Sequence, residues 1–70
     1  MAEIRAEMVA NVWKVLVAEG DSIEDGDALV ILESMKMEIP VLSEDSGVVA
    51  RLQVAEGDVI QEGDLIAVIQ

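Results

Sequence analysis

The chain has 70 residues, a length that suits one small domain and leaves no room for a second. Its 15 Asp and Glu against 4 Lys and Arg give a formal net charge of −11, which disfavours nucleic acid and anionic membrane surfaces as partners. The sequence contains no His, Cys, Tyr or Phe, which excludes a Cys or His nucleophile, a His general base, a Cys/His zinc site and an aromatic stacking platform, so we expect no catalysis by the chain alone.

The apolar content predicts a folded domain rather than an acidic disordered tail. Apolar residues make up 53% of the chain, whereas disordered segments combine high charge with low hydrophobicity. The apolar run 28–32 is far shorter than the roughly 20 residues that cross a bilayer. No basic region followed by an apolar stretch marks a signal peptide. We therefore expect a cytoplasmic location.

Alternating hydrophobicity predicts the first two strands. Near the N-terminus, the alternating apolar residues are Ile4, Ala6 and Met8. In the second strand, one row contains Trp13, Val15 and Val17, and the other contains Val12, Lys14 and Leu16. A two-residue period turns one row of a strand towards a core. We assign the inward row to the one with Trp13, whose repeat counterpart is the apolar Ala50. We therefore expect its indole to pack in the core rather than to act as a recognition anchor.

Glycine and acidic residues predict tight turns after the second strand. The segments 19–21 and 25–27 read Glu-Gly-Asp and Asp-Gly-Asp, and Gly allows a positive φ while Asp caps local turns. Asp21, Asp25 and Asp27, together with Gly26, also suggest a calcium loop. However, Ile23 occupies a ligand position of that loop, and the bidentate Glu at its twelfth position is missing. We expect solvated turns here and no metal site.

A hairpin connects the next two strands. The continuous apolar run 28–32 predicts a strand whose inward face the pattern does not reveal. The strand after the tip has its alternating apolar residues at Met37, Ile39 and Val41. Pro40 suits a sheet edge because it donates no ladder hydrogen bond. Residues 34–37 therefore form the predicted tip, from which Lys36 projects away from the body.

Two halves of the chain are related by an offset of 37 residues. Nine of the 21 residues in 12–32 are identical to their counterparts in 49–69. The second half therefore contains the same strands and turns, and halves of about 1–34 and 37–70 flank a hairpin at 33–38. Two such halves must bury their apolar faces against each other. The sequence predicts a single all-β domain, a flattened barrel or sandwich with an approximate two-fold axis.

The two lysines have different settings. Lys14 lies on the outward row of its strand and has Arg51 as its repeat counterpart, so a solvated surface charge explains it. Lys36 lies outside the repeat, between Met35 and Met37, where Gly, Asn or Asp would be favoured in a mere turn. A protruding Lys is accessible to a modifying enzyme, and its four-carbon stem adds reach. Lys36 is therefore a candidate for covalent attachment.

The sequence around this lysine resembles that of a known family. Glu33-Ser34-Met35-Lys36-Met37 is similar to the attachment sequence of biotin carrier domains, in which Met-Lys-Met occupies a hairpin tip. The flanking repeats, with Glu-Gly-Asp upstream and Gly-Asp-Val-Ile-Gln-Glu-Gly-Asp downstream, resemble the biotinyl/lipoyl domain family. The resemblance covers nearly the whole chain and places the lysine midway between the halves.

The resemblance implies a barrel-sandwich hybrid fold and a carrier role. Biotin protein ligase would attach biotin to Lys36 as an amide, and the carrier would serve the active sites of a biotin carboxylase and a carboxyltransferase. Met35 and Met37 would offer adaptable apolar contact to partner surfaces. Met37 has a second interpretation as the head of the inward row of its strand. For Glu33 the first interpretation is an ordinary surface carboxylate, and recognition by the ligase is the second.

Two alternatives to the biotin carrier stay open on the sequence alone. A lipoyl carrier shares the fold and a hairpin lysine, but its usual context is Asp-Lys-Ala, from which Met35 and Met37 depart. An unmodified β module whose acidic surface binds a basic partner is the other alternative. An enzyme is disfavoured because no nucleophile, metal cluster or phosphate-binding loop accompanies the carboxylates. Since the chain has no Ala/Pro-rich linker, we expect a free-standing attachment protein.

Overall fold

The computed structural model describes residues 1–70 and contains eight β-strands and no helix. The strands are β1 (Ala2–Arg5), β2 (Ala10–Val15), β3 (Ser22–Ile23), β4 (Ala28–Ser34), β5 (Met37–Leu42), β6 (Gly47–Leu52), β7 (Val59–Ile60) and β8 (Leu65–Ile69). They form two antiparallel sheets, the terminal sheet with order β1-β8-β6-β3 and the hairpin sheet with order β5-β4-β2-β7. The prediction of an all-β chain is confirmed, and none of its segments is a helix that could cross a membrane.

The two sheets are copies of each other under the 37-residue offset. The offset takes β2 to β6, β3 to β7 and β4 to β8, and it takes β1 to the second part of β5. The order β5-β4-β2-β7 therefore becomes β1-β8-β6-β3 when each strand is replaced by its counterpart. Each sheet contains strands from both halves, so neither half can complete a sheet by itself. The predicted two-fold arrangement is confirmed, and Pro40 lies on the edge strand β5, as predicted.

The core between the sheets is aliphatic. Its 13 buried residues are Ala6, Ala10, Val12, Ile23, Leu29, Val30, Leu32, Val49, Val54, Ile60, Ile66, Ala67 and Ile69. In β4 the inward residues include the adjacent pair Leu29 and Val30, because the register against β5 shifts between Ala28 and Val30. The counterpart pair in β8 is buried in the same way. This shift explains why the apolar runs of these strands show no simple alternation.

A β-bulge at Trp13 corrects the prediction made for this residue. The register between β2 and β4 shifts between Val12 and Lys14, so Trp13 is the extra residue of the pair of strands. A bulge places two residues of one strand opposite one residue of its partner. Val12 is therefore buried, whereas Trp13 and Lys14 both face solvent, and 42% of Trp13 is exposed. The prediction that Trp13 packs in the core is wrong because the alternation changes phase at the bulge.

Aspartate side chains close the four glycine turns. In each turn a carboxylate accepts a hydrogen bond from the backbone N–H three residues before it, at 2.8–2.9 Å. The acceptors are Asp21, Asp27, Asp58 and Asp64, and the donors are Ala18, Glu24, Ala55 and Gln61. Asx turns of this kind stabilise reversals of the chain. The aspartates that suggested a calcium loop thus include two that cap turns.

Candidate functional site

The β4–β5 hairpin ends in a two-residue turn formed by Met35 and Lys36. The last paired residues are Ser34 and Met37, which face each other across the two strands. Both turn residues have positive φ, 52° at Met35 and 65° at Lys36. Two successive residues with positive φ define a type I′ turn, whose twist matches that of the flanking strands. The predicted hairpin tip is therefore present, with Lys36 at its end.

The turn is built from residues that do not favour it. Type I′ turns are dominated by Asn-Gly and related pairs because Gly and Asn tolerate positive φ. A residue with an ordinary side chain costs about 1–2 kcal/mol in the left-handed region. The six residue pairs between β4 and β5 hold Met35 and Lys36 in this conformation. Backbone strain of this kind is concentrated at functional sites, which singles out these side chains.

The tip side chains extend into solvent. Met35 is 91% exposed and Met37 is 61% exposed, although Met37 heads the row of β5 that turns inward further along the strand. Lys36 is also exposed, and its amine makes no ion pair, since the single salt bridge of the chain joins Arg5 to Glu3. No side-chain hydrogen bond involves Lys36 either. The geometry presents a primary amine, unpaired, between two thioethers.

Two carboxylates face each other beside the tip. Glu33 on β4 pairs directly with Glu38 on β5, and Asn11 on β2 faces Glu33 from the other side. All three side chains are exposed. Like charges directly opposite each other destabilise a strand pair, so this pair adds nothing to the stability of the hairpin. The structure thus brings the four predicted site residues, Glu33, Met35, Lys36 and Met37, together in one hairpin.

The two main cavities do not include the hairpin tip. One of them, of about 490 Å³, lies between the edge strands β1 and β5, and neither is lined by residues 33–38. The tip therefore lies outside both cavities. Its chemistry is that of an accessible nucleophile offered to another molecule.

An aromatic–cation pair on the hairpin sheet escaped the sequence analysis. The Lys14 Nζ atom lies 5.4 Å from the centroid of the Trp13 ring, which is a cation–π contact. The prediction of core packing rests partly on the apolar character of the counterpart Ala50, whereas the small size of Ala50 shows that the equivalent position of the second half needs no large side chain.

Comparisons with known proteins agree with this fold and hairpin. The biotin/lipoyl family, described as "Biotin-requiring enzyme", matches residues 2–69. The "Biotinylated protein TB7.3 homolog" of Mycobacterium leprae is 64% identical over 53 residues, which are 74% of this chain and 75% of that protein. The "Biotin/lipoyl attachment protein" of Bacillus subtilis is 48% identical over 50 residues, which are 71% of this chain and 68% of that protein.

A solved structure gives the same result. The urea carboxylase of Kluyveromyces lactis contains a segment that matches with a TM-score of 0.91 and 38% sequence identity. This match covers 99% of the present chain and only 6% of the carboxylase. With a family match over residues 2–69 and a relative of which the chain covers three quarters, the chain belongs to the biotin/lipoyl family.

Proposed function

We propose that this chain is a biotin carrier protein and that Lys36 is its covalent attachment residue. The observation that carries the proposal is the exposed, unpaired amine of Lys36 at a type I′ tip in a chain of the biotin/lipoyl family. Two close relatives in sequence have names that refer to biotinylation or to biotin/lipoyl attachment. Residues 1–70 act as one carrier domain, with halves 1–34 and 37–70 and an attachment hairpin at 33–38.

The residues of the tip fit the chemistry of attachment. The Lys36 amine, once deprotonated, attacks the activated carboxyl carbon of biotin, so that a C–N bond forms and the activating group leaves with the C–O electron pair. The displaced proton passes to a base of the ligase or to water. Amide formation removes the positive charge of Lys36 and takes the formal net charge from −11 to −12. The chain contributes the nucleophile, and biotin protein ligase contributes the activation.

The neighbours of Lys36 have recognition roles in this proposal. Met35 and Met37 are exposed on both sides of the amine, and their flexible thioethers adapt to a partner surface. Glu33 presents a carboxylate beside the tip, where a cationic group of the ligase can pair with it. Glu33 pairs directly with Glu38, and the repulsion between the two carboxylates weakens the hairpin. Contact with a partner therefore explains a glutamate at this position better than a contribution to stability does.

The carrier acts by effective concentration rather than by catalysis. When attached, biotin carries a carboxyl group between the active sites of a biotin carboxylase and a carboxyltransferase. The domain supplies a rigid body and a mobile tether, which raises the local concentration of the cofactor at both sites. The likeness to a segment of a urea carboxylase supports a carboxylase partner. We place the carrier in the cytoplasm, where ATP is available to the ligase.

Intact mass spectrometry tests the proposal. The chain is incubated with biotin, ATP and a biotin protein ligase, beside Lys36→Arg and Lys14→Arg variants. We expect one biotin on the parent and on Lys14→Arg, and none on Lys36→Arg. Lys14 is the matched control because it is the only other lysine in the chain. Modification by a lipoate ligase with lipoic acid, and not by the biotin ligase, would assign the chain to lipoyl carriers instead.

A further inference from the structure

The outer face of the hairpin sheet is more apolar than that of the terminal sheet. Across β5, β4, β2 and β7 it presents Pro40, Ile31, Trp13 and Val59, which we call the Trp13 face. Val59 is 67% exposed. Pro40 pairs with Ile31, and Lys14, next to Trp13, pairs with Ile31 from the other side. These residues therefore form neighbouring positions on one surface.

The internal repeat provides a control for this surface. The counterparts of the Trp13 face on the terminal sheet are Glu3, Val68, Ala50 and Ser22. At three of the four positions, the apolar residue of the hairpin sheet is replaced on the terminal sheet by a charged, a small or a polar residue, although the two sheets have equivalent backbones. Ala50 occupies an equivalent bulge, so the bulge itself does not require a large ring. One position shows the opposite change. The polar Asn11 of the hairpin sheet corresponds on the terminal sheet to the apolar Val48, which is 41% exposed.

Neither the core nor the backbone explains an indole at position 13. Trp13 faces solvent, makes no hydrogen bond through its ring nitrogen, and has the Lys14 amine over its ring. Trp is enriched among the residues that contribute most to the binding energy of protein interfaces, and a cation over its ring is held by the ring quadrupole. The position of Trp13 relative to the tip indicates which partner it meets.

The Trp13 face lies within the area that an enzyme acting on Lys36 must cover. Four residue steps of β4 lead from Ile31 to Met35, and β2 is the neighbouring strand. At about 3.3 Å per residue and about 4.8 Å between strands, Trp13 lies about 14 Å from the turn. A standard interface buries about 800 Å² on each partner, which corresponds to a patch with a radius of about 16 Å. A bare lysine reaches only about 6 Å beyond its Cα atom. The enzyme that attacks the unmodified amine therefore approaches the body of the domain.

We infer that the Trp13 face is the docking surface for biotin protein ligase. The indole of Trp13 fills an apolar pocket of the ligase, and Lys14 meets an acidic group at the rim of that pocket. The carboxylase enzymes act through the longer biotinyl arm and can work further from the domain, so the geometry favours the ligase as the occupant. This inference rests on the proposed function, because it presupposes that Lys36 is biotinylated.

Biotinylation kinetics test the docking surface. Trp13→Ala introduces the residue that its repeat counterpart already has, and Val48→Ala truncates an equally exposed residue on the other sheet. We expect Trp13→Ala to lower kcat/KM for biotinylation by about tenfold or more, mainly through KM, as for a central interface residue. Val48→Ala should stay within about twofold of the parent. Lys14→Glu, which leaves the ring in place, should also raise KM. Circular dichroism melts establish that each variant is folded.

Competition experiments measure the binding step without the chemistry. Lys36→Arg retains the surface but cannot be biotinylated in the proposal, so it should inhibit modification of the parent. The double variant Trp13→Ala/Lys36→Arg should inhibit at least about tenfold less well. Equal modification of parent and Trp13→Ala, with equal inhibition, would overturn the docking surface and leave the proposed function intact. A parent that the ligase does not modify would overturn both. A Trp13→Ala variant that is modified normally but fails with a carboxylase would assign the face to the carboxylase instead.

Discussion

The Glu56 carboxylate accepts a hydrogen bond from the backbone N–H of Val15, 3.1 Å away and 41 residues earlier in the chain. The repeat reproduces this contact in the opposite direction, since the Glu19 carboxylate accepts from the Leu52 N–H at 3.0 Å. The Glu-Gly-Asp segments at 19–21 and 56–58 therefore each do two things. In each segment the aspartate closes a local turn, and the glutamate ties that turn to a strand of the other half.

The reciprocal glutamates should contribute measurably to stability. We expect Glu19→Ala and Glu56→Ala each to lower the free energy of unfolding by about 1 kcal/mol, since each leaves an N–H without its carboxylate partner. Urea denaturation followed by circular dichroism measures the change. Glu24→Ala is the matched control because it removes the same charge from a side chain without a hydrogen bond, and it should change stability by less than about 0.5 kcal/mol. Equal effects at all three positions would contradict the contact.

The tip should become more stable when its side chains suit its backbone. We expect Met35→Asn/Lys36→Gly to raise the free energy of unfolding by about 1–2 kcal/mol, because Asn-Gly is the preferred pair of a type I′ turn. The same urea titration applies, with Lys36→Arg as a control that keeps the strain. The variant would gain stability and lose the proposed attachment residue. A double variant no more stable than Lys36→Arg would show that positive φ carries no cost here.

Gly47 should be intolerant of any side chain. A Cβ atom built on Gly47 collides with the carbonyl oxygen of Gln70, whose backbone pairs with Val48 through two hydrogen bonds of 2.8 and 2.9 Å. Because the colliding atoms of Gln70 belong to its backbone and are held by these hydrogen bonds, they cannot move aside easily. We therefore expect Gly47→Ala to lower the free energy of unfolding by about 3 kcal/mol or more. Gly26→Ala is the comparison, since a Cβ there meets no atom within 4 Å and only the φ of +92° opposes it. In thermal melts, the unfolding midpoint of Gly26→Ala should be clearly higher than that of Gly47→Ala.

The charge of the chain should make its stability depend on salt. With a formal net charge of −11, the folded state concentrates like charges that the unfolded chain spreads out. We expect the unfolding midpoint to rise between low and moderate NaCl concentration, because salt screens exposed charges. Glu24→Lys, which changes the net charge by +2 to −9, should show a smaller rise. A midpoint that does not change with salt, or falls, would contradict self-repulsion.

The repeat and the period-two pattern predict most of the fold, including the hairpin and its lysine. They fail at Trp13 because a bulge shifts the alternation by one residue, and β2 is apolar on both rows. The second half contains a pattern that indicates the bulge. Val49 and Leu52 are large and apolar, whereas of the two residues between them Ala50 is small and Arg51 is charged. The positive φ at Met35 and Lys36 has no sequence signal, since neither residue prefers it. It arises from the pairing of the flanking strands.

The exchange of strands between the halves has a consequence for stoichiometry. A chain with one copy of the repeat could close both sheets only by assembling with a second copy of itself, and such a dimer would be symmetric. In the present chain the covalent join between the copies is the loop at residues 35–36. That join occurs once, at one end of a body 31 Å long and 17 Å wide. Fusion of the two copies thus removes the symmetry of such a dimer, and the hairpin that bears Lys36 occurs once rather than twice.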